Sequence, residues 1–231
     1  MIFKVSRYMM FFMCLFYFEY AISQYESTYS NQADIYIEGD ELYYIGEISD
    51  GSVLHTLRII EQSGDNIKRL SINSVGGSIE GAIHLAYWVY ENNIALTVDE
   101  LCFSSCANYI IPSSPDVYIK KNSIVGWHGG ATYNKHLNVG VMDDAKKEYW
   151  DYLSDKERIF FDEIGVDIKI TGYPTIESQM DCMVNNRYFG WYYSEIHLKS
   201  MGLRDITYEG GISNEFNHNG HIMRLCLFSP K

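Results

Sequence analysis

Basic residues are scarce in this sequence. It contains 18 lysines and arginines against 30 aspartates and glutamates, which gives a formal net charge of −12. Proteins bind DNA and RNA largely by neutralising phosphates with lysine and arginine. We therefore expect neither a nucleic acid nor a nucleotide as a partner.

An apolar run long enough to cross a membrane is also lacking, since a spanning helix needs roughly 20 apolar residues. The N-terminal run over residues 8–18 is shorter, follows Lys4 and Arg7, and leads to a small residue at Ser23. This order is typical of a secretory signal peptide. We expect residues 1–23 to be removed and the mature protein to be secreted or periplasmic; an uncleaved N-terminal membrane anchor is the alternative.

Internal repeats and low-complexity tracts are absent from the 231 residues, of which 47% are hydrophobic. A chain of this length and composition can bury one good core but hardly two. The polar, patternless stretch at 24–33 predicts a flexible leader. One domain is expected over residues 34–208, followed by a C-terminal tail at 209–231.

The cysteines lack the two-residue spacing of common zinc sites, so we expect no metal ion; nothing in the sequence indicates a cofactor. Once Cys14 has left with the signal peptide, four cysteines remain: Cys102, Cys106, Cys182 and Cys226. An even set in an oxidising compartment favours two disulfides. Three pairings are possible, and the pair Cys102–Cys106 needs a non-helical backbone at its first member.

Strands alternate with helices along the chain, after an opening of two short strands and a helix. Strands are predicted at 67–74, 94–98, 116–120 and 123–127, and a helical apolar face begins at Ile79. Such alternation predicts an α/β fold with a mostly parallel core sheet. Residues 129–140 are expected to form a loop, and residues 141–165 a long, charged helix that projects from the domain.

Three features follow the ends of predicted strands: the pair Gly76-Gly77, Ser104 and His128. The carboxyl ends of parallel strands are where open sheets place their sites. Glycines allow close approach of backbone N–H groups, and histidine is the base that a serine nucleophile needs. Taken singly, a glycine pair is a common turn and a serine at a helix start is usually an N-cap. Their combination favours nucleophilic catalysis.

Four segments resemble the Clp protease proteolytic subunit and its relatives with the crotonase-type fold, above all the secreted bacterial Clp-like proteins. The resemblance spans residues 42–205, about three quarters of the chain. Its segments are YYIGEISDGSVLHTL, SINSVGGSIEGAIHLAYWV, KNSIVGWHGG and MGLRDI. It implies that fold, with βαβ units, for this chain.

The resemblance also implies roles for single residues. Ser104 matches the nucleophile, because aligning the alanine that follows it in the family with Ala107 leads to Ser104; Ser105 is the alternative. His128 matches the general base. The oxyanion hole would be formed by backbone N–H groups of Gly76, Gly77 and Ser105.

The resemblance does not identify the third member of the triad. The family has an aspartate before its final helix, and Asp181 is nearest in residue type, whereas Asn185 or Asn186 is nearest in position. An asparagine could orient His128 but would stabilise its charged form poorly. Val75 also stands where the family usually has proline.

The resemblance therefore implies a secreted serine peptidase that acts on unfolded polypeptides or short peptides and assembles into a homo-oligomer. A catalytically silent Clp-like module, kept for oligomerisation or binding, is the alternative. An acyl-CoA enzyme of the crotonase type is a more remote possibility, since it would not need Ser104 and His128 together.

Overall fold

The computed structural model describes residues 33–64, 66–137, 143–172, 188–218 and 220–228. Its strands are β1 Ala33–Glu38, β2 Glu41–Gly46, β3 Arg69–Ser74, β4 Ala95–Phe103, β5 Asp116–Ile119, β6 Ile124–Gly126, β7 Gly190–Tyr193, β8 Asp205–Tyr208, β9 Glu215–His218 and β10 His221–Phe228. Its helices are α1 Asp50–Ser63, α2 Ile79–Glu91, α3 Ile111–Ser113, α4 Ala131–Leu137, α5 Asp144–Ile164 and α6 Glu195–Ser200. A π-helical turn, Cys106–Ile110, precedes α3, and a 3-10 turn spans Ile168–Thr171.

A seven-stranded sheet organises the domain. Six strands follow the order β1-β2-β3-β4-β5-β8, and the seventh, β6, pairs with β4 outside this order. Only the β1–β2 hairpin is antiparallel, and the pairs from β2 to β8 are parallel. The first part of β4 pairs with β5, whereas its last residues, 101–103, pair with β6. The α/β fold with a mostly parallel core sheet is thus confirmed.

The core lies between this sheet and its helices. Alternate residues of the parallel strands point into it. Those of β2, β3, β4 and β5 that are at most 1% exposed are Leu42, Tyr44, Leu70, Ile72, Leu96, Val98, Cys102, Val117 and Ile119. Period-2 burial is what a sheet with one covered face requires. Helix α2 covers that face with Leu85, Ala86 and Val89, all fully buried.

The segment expected as a loop after His128 is partly helical, and that expectation was wrong for Ala131–Leu137. Its first N–H groups bind a residue that is remote in sequence. The carboxylate of Glu157 accepts from Ala131 N–H at 3.0 Å and from Thr132 N–H at 2.8 Å. A carboxylate at a helix start satisfies donors that have no partner within the helix. No local sequence pattern reveals this contact.

The long helix α5 has two parts. Residues 144–149 are exposed, as expected for a projecting segment. Its C-terminal half is packed instead, with Leu153, Phe160 and Phe161 at most 2% exposed. Within the described residues, no helix is both long and apolar enough to cross a membrane.

A second, three-stranded sheet contains two strands, β9 and β10, from the segment that the sequence sets apart as a C-terminal tail. Strand β10 pairs in parallel with β7 and in antiparallel fashion with β9. This sheet joins the main one through a bridge between Trp127 and Trp191, whose backbones exchange two hydrogen bonds of 2.8 Å. Because Trp127 directly precedes His128, the bridge fixes the small sheet beside that histidine.

Candidate active site

Three neighbouring strands end at one place. Register pairs place Ser74 of β3 beside Cys102 of β4, and Phe103 of β4 beside Gly126 of β6. The turns that follow these strands therefore lie side by side, as parallel pairing requires. They carry Gly76-Gly77, Ser104 and His128, so the structure brings together the three features that the sequence singled out.

Ser104 lies on a sharp turn between β4 and the π-helical turn. Its φ of +59° is in the left-handed region, which a residue with a Cβ adopts only at an energetic cost. The turn is held on both sides: Ser104 N–H donates to the Gly126 carbonyl at 3.0 Å, and Asn108 N–H donates to the Ser104 carbonyl at 2.8 Å. These bonds hold the side chain of Ser104 at the end of the sheet.

A disulfide between Cys102 and Cys106 encloses the same turn. Cys102 is on a strand, so the non-helical backbone that this pairing requires is present. Both cysteines are fully buried. Cys226 is also disulfide-bonded, whereas Cys182 lies outside the described residues.

His128 faces Ser104. Its Nε2 is 2.6 Å from the Ser104 Oγ, a distance at which a neutral imidazole accepts the hydroxyl proton. The Phe103 ring stacks on the imidazole, with centroids 5.1 Å apart. Burial lowers the pKa of His128 below its ordinary value of 6.5, because an apolar environment disfavours the charged form. The histidine is therefore neutral, and able to act as a base, near pH 7.

Of the three expected oxyanion donors, Gly76 already has a hydrogen-bond acceptor for its N–H. Its N–H donates to the Ser74 hydroxyl at 3.1 Å. No hydrogen bond from the N–H groups of Gly77 or Ser105 to another described residue is found. Gly76 instead allows close packing, since a Cβ there would lie 2.7 Å from the Cβ of Ser104. Gly77 and Ser105 are left as candidate donors.

Ser105 does not contact His128. It is 3% exposed, and its hydroxyl donates to the Gly77 carbonyl at 2.8 Å. Asp181, Asn185 and Asn186 lie outside the described residues. Within the described ranges, no carboxylate forms a hydrogen bond with His128, and no group of three or more His, Cys, Asp or Glu side chains could hold a metal ion.

The cleft in front of Ser104 has a volume of about 250 Å³ and is mostly apolar. Sequence reasoning missed three side chains that line it: Phe189, Phe216 and Met223. Two of them belong to the β9–β10 hairpin. The dipeptide Asn219-Gly220 is a strong hairpin signal and could have predicted that the chain turns here, but not that the hairpin lines the cleft at Ser104.

No family model matches the sequence, and no curated protein matches it. Among solved structures, an enoyl-CoA hydratase/isomerase family member aligns with 76% of this chain and 70% of its own at 9% identity, with a TM-score of 0.43. An enoyl-CoA hydratase/isomerase from Mycobacterium paratuberculosis aligns with 41% of this chain and 51% of its own, at 13% identity and a TM-score of 0.30.

Methylmalonyl CoA decarboxylase complexed with 2S-carboxypropyl CoA aligns with 39% of this chain at 7% identity, with a TM-score of 0.31. The match spans 46% of that enzyme, less than half of its length. Likeness at this level carries no information on what this chain binds or catalyses. None of these comparisons points to the Clp protease subunit in particular.

Proposed function

We propose that this protein is a serine-type peptidase in which Ser104 is the nucleophile and His128 the general base. The observation that carries the proposal is the 2.6 Å contact between Ser104 Oγ and His128 Nε2, on a left-handed turn at the end of parallel strands. Free serine is a weak nucleophile and is activated by an adjacent base. A serine that served only as an N-cap would not need this partner.

The reaction proceeds in two halves. Ser104 Oγ attacks the carbonyl carbon of the peptide bond while His128 Nε2 takes its proton, and a tetrahedral intermediate forms. His128 then gives the proton to the leaving amine nitrogen, the C–N bond breaks, and an acyl ester remains on Ser104. Water, deprotonated by His128, hydrolyses this ester and restores both side chains.

The oxyanion of the intermediate needs donors that are already in place. The N–H of Gly77 and the N–H of Ser105 are available for this purpose, and the bond from the Ser105 hydroxyl to the Gly77 carbonyl ties the two residues together. Removal of one such donor typically slows catalysis by about 10²–10³-fold. Gly76 contributes no donor; its lack of a side chain leaves space for the side chain of Ser104.

The expected substrates are unfolded polypeptides or short peptides, and the expected assembly is a homo-oligomer. Both follow from the resemblance to the Clp protease subunit rather than from a contact in the monomer. If the protein is exported, as residues 1–23 suggest, it works without a cytosolic unfolding ATPase. Its substrates would then have to arrive already unfolded.

A second function, that of a silent Clp-like binding module, is favoured by one observation. Among the described residues no carboxylate holds the second ring nitrogen of His128, and a triad without that support loses much of its rate. The two functions differ in a measurable property, the reactivity of Ser104.

A fluorophosphonate tests that reactivity. The mature, oxidised protein is incubated with the reagent, and the adduct is detected by intact mass and located by peptide mapping. We expect one adduct, on Ser104, which is lost in Ser104→Ala and reduced at least 100-fold in rate in His128→Ala. Ser105→Ala keeps its backbone N–H and is expected to form the adduct, more slowly than wild type.

The matched control is Ser200→Ala, an exposed serine of α6, which should label at the wild-type rate. Circular dichroism shows whether each variant is folded. A folded wild-type protein that forms no adduct would refute the peptidase proposal and leave the binding module.

A further inference from the structure

Several separate segments of the chain line the cleft beside Ser104. Phe103 precedes the nucleophile, and Phe189 precedes β7. Phe216 and Met223 come from the C-terminal hairpin, where they are directly opposite each other on β9 and β10. Directly paired residues of an antiparallel ladder point to the same face. The hairpin therefore turns one face toward Ser104.

The hairpin is firmly attached to the core. Leu225 is fully buried and packs with Phe103 and Ile124, and a Cβ at Gly126 would lie only 2.5 Å from the Leu225 Cδ1. Across the ladder, Arg224 Nε donates to a carboxylate oxygen of Glu215 at 2.8 Å. A wall fixed in this way can discriminate among side chains, whereas a loose segment would adapt to them.

The exposed part of this wall is aromatic and aliphatic. The Phe103 ring centroid is 5.4 Å from that of Phe216 and 5.8 Å from that of Phe189, and Phe189 is half exposed. A half-exposed aromatic ring such as that of Phe189 loses unfavourable contact with water when an apolar group covers it. The volume of about 250 Å³ exceeds that of an apolar cavity of roughly 150 Å³ that accepts benzene, so one apolar side chain fits.

Charge disfavours an acidic occupant. Of the side chains that line the cleft, one is an acid, Glu47, and none is a lysine or arginine. An acidic group would meet repulsion and no counter-charge there. Beyond Phe216 lies a separate, polar groove, which includes Asn73, Glu100 and Asn217. Phe216 thus separates an apolar site at the nucleophile from a polar surface.

We infer that Phe216 and Met223 of the C-terminal hairpin determine specificity, by forming the wall of a subsite for an apolar side chain on the acyl side of the scissile bond. This inference rests on the proposed nucleophilic role of Ser104. It assigns a substrate-recognition function to strands β9 and β10, which lie outside the segments that resemble the Clp protease subunit.

Phosphonate diphenyl esters built on single amino acids test the subsite, because they form an adduct with a reactive serine and carry a chosen side chain. Adduct formation is followed by intact mass with the phenylalanine, leucine, glycine and aspartate probes. In wild type we expect the phenylalanine and leucine probes to react at least 10-fold faster than the glycine probe, and the aspartate probe to react slowest.

The ratio of the phenylalanine rate to the glycine rate is then compared among variants, because a general loss of reactivity cancels in it. Phe216→Ala and Met223→Ala should each lower this ratio at least fivefold. Met223→Lys places a cation in the wall and should raise the aspartate rate relative to the phenylalanine rate. Such a gain cannot result from misfolding.

The matched control is Ile222→Ala, since Ile222 precedes Met223 on β10, is 66% exposed and does not line the cleft. It should keep the wild-type ratio. Equal rates for all four probes, in a protein that still reacts with the fluorophosphonate, would overturn the subsite and leave the peptidase proposal intact. Absence of any adduct, with the fluorophosphonate included, would overturn both.

Discussion

The hydroxyl of Ser105 donates to the carbonyl of Gly77 at 2.8 Å, and this bond connects the two residues whose N–H groups are available to an oxyanion. Gly77 is in turn part of a bridge to Ile48, in which Ser78 N–H donates to the Ile48 carbonyl at 2.7 Å. The candidate oxyanion hole is therefore built on a continuous backbone network. Preorganised donors are effective because they need no rearrangement when charge develops.

Gly77→Ala should disrupt this network. Gly77 has a φ of +146°, in the region that favours glycine, and a Cβ would collide with the Ile48 carbonyl oxygen. The backbone must move, and its N–H with it, so we expect fluorophosphonate labelling of Ser104 to slow by about 10²-fold or more. The measurement is the rate of adduct formation by intact mass.

The control for this variant is Gly211→Ala, because a Cβ at Gly211 would meet nothing within 4 Å. It should label at the wild-type rate. A folded Gly77→Ala protein that also labels at the wild-type rate would show that the Gly77 N–H plays no part in the reaction.

Acid should inactivate Ser104 only below the ordinary pKa of histidine. Burial lowers the pKa of His128 from 6.5, and the base is the neutral form, so labelling should rise with pH and reach half its maximum below pH 6.5. The same shift favours the unfolded state in acid: the stability provided by neutral His128 is present above pH 6.5 and is lost as the pH falls below it.

The test is the labelling rate of the folded protein between pH 4 and pH 8. A half-maximum above pH 6.5 would contradict the prediction. It would indicate an anionic partner that raises the pKa of His128, as a carboxylate such as Asp181 would do. His128→Ala, measured in parallel, should show no such transition.

The disulfide Cys102–Cys106 is expected to stabilise both the domain and the turn that carries Ser104. Closing a loop of five residues constrains the unfolded chain by about 2 kcal/mol, so the double variant Cys102→Ala/Cys106→Ala should unfold at a Tm lower by roughly 4–8 °C. The left-handed conformation of Ser104 loses a constraint, and labelling should slow as well. Differential scanning calorimetry and adduct formation measure the two effects.

A double variant whose Tm falls while labelling stays at the wild-type rate would show that the backbone bonds to Gly126 and Asn108 suffice to hold Ser104. The cysteines are fully buried, so a reductant should reach them slowly in the folded protein. Mild reduction of wild type should therefore leave the disulfide intact and labelling unchanged.

The sequence predicted the centre of the site because that part is built from local patterns. Gly76-Gly77, Ser104 and His128 each follow a strand whose alternation is visible, and parallel strands end together. Helix α4 could not be predicted, since its first N–H groups depend on Glu157, more than 20 residues later. The wall formed by Phe216 and Met223 could not be predicted from the sequence either, because a hairpin signal specifies a turn and not the surface on which the hairpin packs.

Glu157 should be more important for stability than its place on a charged helix suggests. It is fully buried, and besides the two N–H groups of α4 it accepts a hydrogen bond from the Tyr109 hydroxyl at 2.8 Å. In Glu157→Gln an amide NH₂ group replaces one of the two acceptor oxygens and faces a backbone N–H. A buried donor is then left without an acceptor, which lowers the free energy of unfolding by about 1–3 kcal/mol. Tyr109→Phe removes one bond and leaves the carboxylate with two, so its effect should be smaller.

Urea unfolding of the two variants measures these differences, with Glu148→Gln as the control, because Glu148 is an exposed residue of the same helix. We expect the free energy of unfolding to decrease in the order Glu148→Gln, Tyr109→Phe, Glu157→Gln. Helix α4 begins three residues after His128, so loss of its anchor should also slow Ser104 labelling in Glu157→Gln. Equal stability of Glu157→Gln and Glu148→Gln would mean that the buried carboxylate does not hold the helix that follows His128.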